Sequence, residues 1–101
     1  MSLYGLQGQF KAIPGQRDAL VDILRAAVEG VRLAPGCILY VVSTTPEDPD
    51  AILVYEVWRS KADHDNSLQN EATRALIARA RPLLAAAPEG REITPVVGVG
   101  V

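Results

Sequence analysis

Residues 37–58 read CILYVVSTTPEDPDAILVYEVW and contain the most strongly patterned part of the chain. Two runs rich in β-branched and aromatic residues, 37–45 and 51–58, flank the acidic, turn-forming segment PEDPD at 46–50. The pattern predicts a β-hairpin. Both strands carry apolar side chains at odd and at even positions, which is typical of strands that are buried on both faces.

The chain before the hairpin predicts one strand and one helix. Residues 4–13 alternate apolar and polar side chains, the period of a strand, and end at the turn-forming pair Pro14-Gly15. In residues 16–33 the apolar side chains recur at helical spacing while charged ones face away, so an amphipathic helix is expected there.

Two helical segments and a last strand are expected after the hairpin. Ser60 is a suitable N-cap for a short helix through Leu68, with Asp63 in the capping-box position. A second helix runs from residue 71 to about residue 86, and Pro82 is expected to kink it or end its regular part. Residues 93–101 alternate again and predict the last strand.

The order β-α-β-β-α-β predicts an α+β, ferredoxin-like fold with an antiparallel sheet, in a single domain over residues 3–101. In this arrangement both helices lie on one face of the sheet. Because the strands of the hairpin are apolar on both sides, the other face would leave a large apolar surface in water. We therefore expect a homodimer that forms through this sheet face.

Composition excludes several classes of protein. The 101 residues carry 10 basic and 12 acidic side chains, a net charge of -2, so neither nucleic acid nor a membrane is an expected partner. A single cysteine and a single histidine argue against a disulfide and against a metal site. No stretch resembles a signal peptide or a membrane span, and a cytoplasmic location is expected.

The strings APGCILYVVS at 34–43 and DPDAILVYEVW at 48–58, followed by a histidine, resemble the antibiotic biosynthesis monooxygenase family. The first resembles that family's EPGCLxY segment, with Ala34 in place of the acidic residue, and the second its xYExW strand end. The resemblance implies a dimeric α/β barrel. It also implies oxidation of quinols or polycyclic phenols by O₂ without a cofactor, although members include haem-degrading enzymes and small proteins of no established activity.

His64 is the residue best suited to chemistry. An oxygenase of this kind needs an apolar cavity and a group that removes a proton from a phenol. Histidine is the one side chain whose ordinary pKa, about 6.5, suits a base near neutral pH. The alternative is a structural or half-exposed histidine. In the family a histidine commonly lies about nine residues beyond the strand-end tryptophan, whereas His64 lies six beyond Trp58 and Ser67 occupies the later position.

Aromatic side chains are expected to shape the substrate cavity, although such residues are often simply part of the core. The candidates are Trp58, Tyr55, Phe10 and Tyr40. Arg74 is a candidate for holding an anionic substrate oxygen, against the alternative of a solvated helix face. For Glu56 a salt bridge across the dimer, to an arginine, is favoured over catalysis because a buried carboxylate needs a partner.

Three functions are consistent with these residues. The leading hypothesis is a cofactor-independent monooxygenase that oxidises a small quinol or polycyclic phenol, with His64 as base. The second is a non-catalytic binding or stress-associated dimer that holds an apolar ligand in the same cavity. The third, ranked lowest, is haem binding and degradation with His64 as axial ligand.

Overall fold

A computed structural model describes residues 2–101, and its sheet has four strands. They are β1 (Tyr4–Lys11), β2 (Cys37–Thr45), β3 (Asp48–Trp58) and β4 (Glu89–Ile93). The strand order is β2-β3-β1-β4, and every neighbouring pair is antiparallel. The predicted α+β ferredoxin-like fold is therefore confirmed.

Three helices accompany the sheet: α1 (Arg17–Val31), α2 (Lys61–Ser67) and α3 (Glu71–Ala80). The predicted cap of α2 is confirmed, since the Ser60 hydroxyl accepts a hydrogen bond of 3.1 Å from the Asp63 backbone N–H. The end of α3 comes earlier than residue 86. A 3₁₀ turn, Arg81–Leu83, follows it and contains Pro82, which has no backbone N–H to continue an α-helix. None of the helices within residues 2–101 is long and apolar enough to cross a membrane.

The hairpin is tighter than the sequence predicts, because β3 begins at Asp48 and only residues 46–47 form the turn. Between Cys37 and Leu39 the register of β2 against β3 shifts, as in a β-bulge. Cys37 consequently pairs with Trp58, whereas simple alternation would place it on the same face as Leu39.

The prediction of a last strand over residues 93–101 is wrong. The strand lies earlier, at Glu89–Ile93, where Ile93 pairs with Gly5 at the end of the ladder. Beyond it the chain leaves the sheet, and the side chains of Val96, Val97 and Val99 are exposed. β4 is an edge strand, and backbone hydrogen bonds hold it to β1 on one side only. Its sequence EGREI is mostly polar and lacks the apolar alternation by which a strand is recognised.

The two faces of the sheet differ sharply. The inner face packs against α1 and the end of α3, and its buried cluster consists of Ala12, Leu20, Leu24, Ile52 and Val54. On the outer face, register places Leu39, Val41 and Leu53 together, and these remain 38%, 42% and 39% exposed. The part of the outer face formed by β2 and β3 is thus apolar and uncovered in the single subunit, whereas β1 places Gln7 and Gln9 beside it.

Candidate active site

A cavity of about 400 Å³ lies between the inner face of the sheet and the helices. Most of its wall is aliphatic and comes from α1 and α3; Leu20, Leu24, Leu76 and Ile77 are examples. The polar groups that line it include Tyr40, Glu56, Trp58, His64 and Ser67. An apolar pocket with a few convergent polar groups is the usual form of a small-molecule site.

His64, on α2, lines this cavity and is nearly buried, with 12% of its side chain exposed. Its Nδ1 lies 2.9 Å from Asp65 Oδ1, and its Nε2 lies 3.9 Å from Glu56 Oε1. The rings of Tyr4 and Trp58 pack against the imidazole, with centroids 5.3 and 5.7 Å away. β3 ends at Trp58, and α2 begins shortly after it, at Lys61. This short connection brings His64, on the helix, close to Trp58, at the strand end.

Glu56 finds its partners within its own subunit. Residues 56 and 58 share one face of β3, and the Trp58 Nε1–H donates a 3.0 Å hydrogen bond to Glu56 Oε1. The imidazole of His64 faces the same oxygen. The salt bridge to an arginine of a second subunit stays a prediction; within its own subunit, the Glu56 carboxyl has an indole donor two residues away on the same strand face.

Burial raises the pKa of the Glu56 carboxyl above its ordinary value. The hydrogen bond from Trp58 and the proximity of His64 oppose this shift without reversing it. Glu56 therefore holds its proton to higher pH than an exposed glutamate does.

Tyr40 pairs with Glu56 across β2 and β3, on the inner face. Burial, and then the nearby Glu56 and Cys37, raise the pKa of the Tyr40 hydroxyl well above its ordinary range. The group stays neutral at any physiological pH and can donate a hydrogen bond to an anionic oxygen in the cavity. Phe10, which pairs with Ile52, lines the same cavity.

Two of the candidate residues do not line this cavity. Tyr55 pairs with Val41 and Gln7 and lies on the outer face, where it borders a separate concave surface. Arg74 is exposed, and its guanidinium donates to the Leu68 carbonyl at 3.4 Å and to Gln69 Oε1 at 2.6 Å. Its contacts tie α3 to the preceding connection.

Tyr4 and Asp65 are neighbours of His64 that the sequence analysis did not single out. Tyr4 reaches the imidazole because its strand position pairs with Trp58. No local signal marks it, since this pairing joins residues that are far apart in the chain. For Asp65 the sequence offers one signal, its position directly after His64. Within residues 2–101 no group of three or more His, Cys, Asp or Glu side chains is placed to hold a metal ion.

The profile of the family described as antibiotic biosynthesis monooxygenase matches residues 3–79. A crystal structure of a candidate antibiotic biosynthesis monooxygenase from Chloroflexus aurantiacus J-10-fl is 50% identical, with a TM-score of 0.86 over 96% of both chains. The Mycobacterium tuberculosis protein Rv0793, at 20% identity, superposes with a TM-score of 0.86 over 97% of this chain and 99% of that one. It supports the fold alone.

Among curated proteins, sll1783 of Synechocystis sp. PCC 6803 is 27% identical over 78 residues, which are 77% of this chain. The alignment covers 53% of sll1783, so the chain spans about half the length of the curated relative that it matches. The family profile covers most of the chain, including the strand end that carries Glu56 and Trp58 and the helix that carries His64. The chain belongs to the antibiotic biosynthesis monooxygenase family.

Proposed function

We propose that the protein is a monooxygenase that oxidises a small quinol or polycyclic phenol with O₂ and needs no cofactor for this reaction. The observation that supports the proposal most directly is the position of His64. An imidazole that is nearly buried lines a largely aliphatic cavity of about 400 Å³, beside the carboxyl group of Glu56, whose side chain is 15% exposed. Such surroundings suit proton transfer to and from a bound phenol.

The proposed reaction converts a phenol with a free ring C–H into a quinone. Nε2 of His64 accepts the phenolic proton, and the phenolate supplies the electrons that reduce O₂. A carbon–oxygen bond forms at the C–H carbon, and the O–O bond then breaks. One oxygen atom remains in the quinone, while the other leaves as water with the ring hydrogen and the proton returned by His64. Phenol plus O₂ thus gives quinone plus water, with atoms and electrons balanced.

The other cavity residues have distinct parts in this proposal. The neutral Tyr40 hydroxyl donates a hydrogen bond to the phenolate oxygen, and Phe10 and Trp58 present aromatic surface to a flat substrate. The aliphatic walls exclude water, which strengthens each of these polar interactions. Since Tyr55 and Arg74 lie outside the cavity, no substrate contact is assigned to them.

Oxygen uptake tests the proposal. The protein is incubated with a panel of reduced naphthoquinones and polycyclic phenols under ¹⁸O₂, and the product is analysed by mass spectrometry. We expect one ¹⁸O atom in the quinone, and a fall of about 100-fold or more in kcat/KM for His64→Ala because the base is lost. Arg25→Ala, an exposed change on α1, is the matched control and is expected to keep full activity. Undiminished turnover by His64→Ala would contradict the assignment of the base.

A binding role without catalysis is the alternative, and the predominantly aliphatic wall of the cavity favours it. Trp58 is the single tryptophan and lines the cavity, so a bound quinone is expected to quench the protein's fluorescence. Quenching without oxygen uptake across the whole panel would support binding over oxidation. A Soret shift on adding hemin that disappears in His64→Ala would instead support the haem hypothesis.

A further inference from the structure

The two nitrogens of His64 face different surroundings. Nδ1 points to Asp65, whose side chain is 51% exposed, at a distance of 2.9 Å. Nε2 points inward, to Glu56, which is only 15% exposed. The imidazole therefore stands at the boundary between the cavity and the solvent, with one carboxyl group on each side.

Asp65 is held as a carboxylate. Its hydrogen bond with His64 and, next, its interactions with Lys61 lower the pKa of the Asp65 carboxyl. Lys61, one turn earlier on α2, places its Nζ 3.4 Å from Asp65 Oδ2 and also lies over the Tyr4 ring. An ionised carboxylate can only accept hydrogen bonds, so the contact at 2.9 Å requires a hydrogen on Nδ1.

We infer that Asp65 is a positioning residue that fixes the tautomer and the orientation of His64. With the hydrogen on Nδ1, the neutral ring presents the lone pair of Nε2 to the cavity. The opposite tautomer would set the Nδ1 lone pair against a carboxylate oxygen at hydrogen-bond distance, which is repulsive. A carboxylate on the far nitrogen is a common means of selecting which nitrogen of a histidine is free to react.

The aromatic neighbours support this orientation. Trp58 meets the imidazole edge-on, with ring planes 80° apart, and Tyr4 meets it at 43°. Both rings restrict rotation of the imidazole, which a flip between tautomeric roles would require. This inference rests on the proposed function at one point only: His64 needs a free Nε2 to act as the base of that reaction.

Long-range ¹H–¹⁵N spectra test the inference directly, because His64 is the single histidine and its ring signals need no assignment. Spectra are recorded at a pH where the imidazole is neutral. We expect the native protein to show the hydrogen on Nδ1 alone, and Asp65→Ala to shift the ring toward the Nε2–H form. Asp65→Asn, which keeps an acceptor oxygen of the same size, is expected to lie between them.

Asp18→Asn is the matched control, since Asp18 is an exposed aspartate on α1 whose ion-pair partner is Arg17. It is expected to leave the imidazole spectrum unchanged. A native spectrum with the hydrogen on Nε2, or a spectrum that Asp65→Ala does not change, would overturn the inference.

Kinetics separate this inference from the proposed function. If both hold, Asp65→Ala lowers kcat by roughly 10-fold or more and changes KM little, because substrate contacts are intact. If the tautomer depends on Asp65 but the protein oxidises no phenol, the proposed function alone is refuted. Oxidation that depends on His64, with a tautomer indifferent to Asp65, would refute this inference alone.

Discussion

Among single residues, the notable group is the largely buried carboxyl of Glu56. It lies in a mostly apolar cavity, and its nearest hydrogen-bond donor is the indole of Trp58 on the same strand face. Its folded-state pKa is raised by burial. A group of this kind stabilises the fold only while it is protonated, relative to the unfolded chain.

The pH dependence of the free energy of unfolding is expected to show the contribution of the protonated Glu56 carboxyl. The contribution of Glu56 is fully present below its ordinary pKa, near 4.5, and is lost as the pH rises through the higher folded-state value. Each unit of difference between the two corresponds to about 1.4 kcal/mol. The free energy of unfolding of Glu56→Gln, relative to that of the native protein, is therefore expected to increase from pH 4 to pH 8.

Urea titrations at fixed protein concentration, at several pH values, measure this difference. Glu29→Gln is the control, because Glu29 is 66% exposed on α1, and its difference from the native protein is expected to stay constant. If the difference in free energy of unfolding between Glu56→Gln and the native protein also stays constant, the Glu56 carboxyl does not retain its proton to higher pH.

At the scale of elements, α2 carries His64 and is held at its N-terminal turn from two sides. Ser60 caps it, and Asp63 packs against the backbone of Gly36 at the start of β2. Gly36 has a φ of +86°, a conformation that glycine adopts without steric cost. An added Cβ there would come within 2.7 Å of Asp63 Cβ.

Gly36→Ala is accordingly expected to destabilise the protein more than Gly15→Ala does. Gly15 has nearly the same φ, +83°, but nothing lies within 4 Å of an added Cβ. Gly15→Ala therefore reports the cost of the backbone conformation alone, about 1–2 kcal/mol, and Gly36→Ala adds roughly 1–3 kcal/mol for crowding. Chemical denaturation followed by circular dichroism measures the free energy of unfolding of both variants. Equal losses of stability would show that Asp63 of α2 does not crowd an added Cβ at residue 36.

At the scale of the whole molecule, the outer face of the sheet requires an explanation. Leu39, Val41 and Leu53 are exposed there, and Tyr55 lies opposite Val41 and next to Leu53 on the same face of β3. An apolar sheet face of this kind is rarely left in water by a monomer. We propose that a second copy of the chain covers it, which would place Tyr55 at the subunit interface.

Leu53→Lys tests the dimer by placing a charge on the proposed interface. Sedimentation velocity is expected to show a dimer for the native protein at micromolar concentration, and monomers or unfolded chains for the variant, because an unpaired buried ammonium is costly. Leu33→Lys, at a site 87% exposed, is the control and is expected to remain dimeric. A well-folded native monomer at that concentration would contradict the proposal.

Local sequence patterns are sufficient for much of this architecture. Helical and strand periodicity depends on neighbours a few residues apart, so α1, β1 and the hairpin can be recognised without any tertiary information. The cap at Ser60 and the stop at Pro82 are equally local, because each acts through its own side chain and backbone. The position of Glu56 and Trp58 on one strand face follows from the same alternation.

Long-range pairing decides the rest. The last strand lies at Glu89–Ile93 because β1 offers its free edge there, and the bulge in β2 moves Cys37 opposite Trp58. The meeting of His64 with Glu56, Tyr4 and the cavity depends on how α2 returns over the sheet. Sequence supplies the chemistry of these side chains, whereas only packing brings together groups that no local spacing relates.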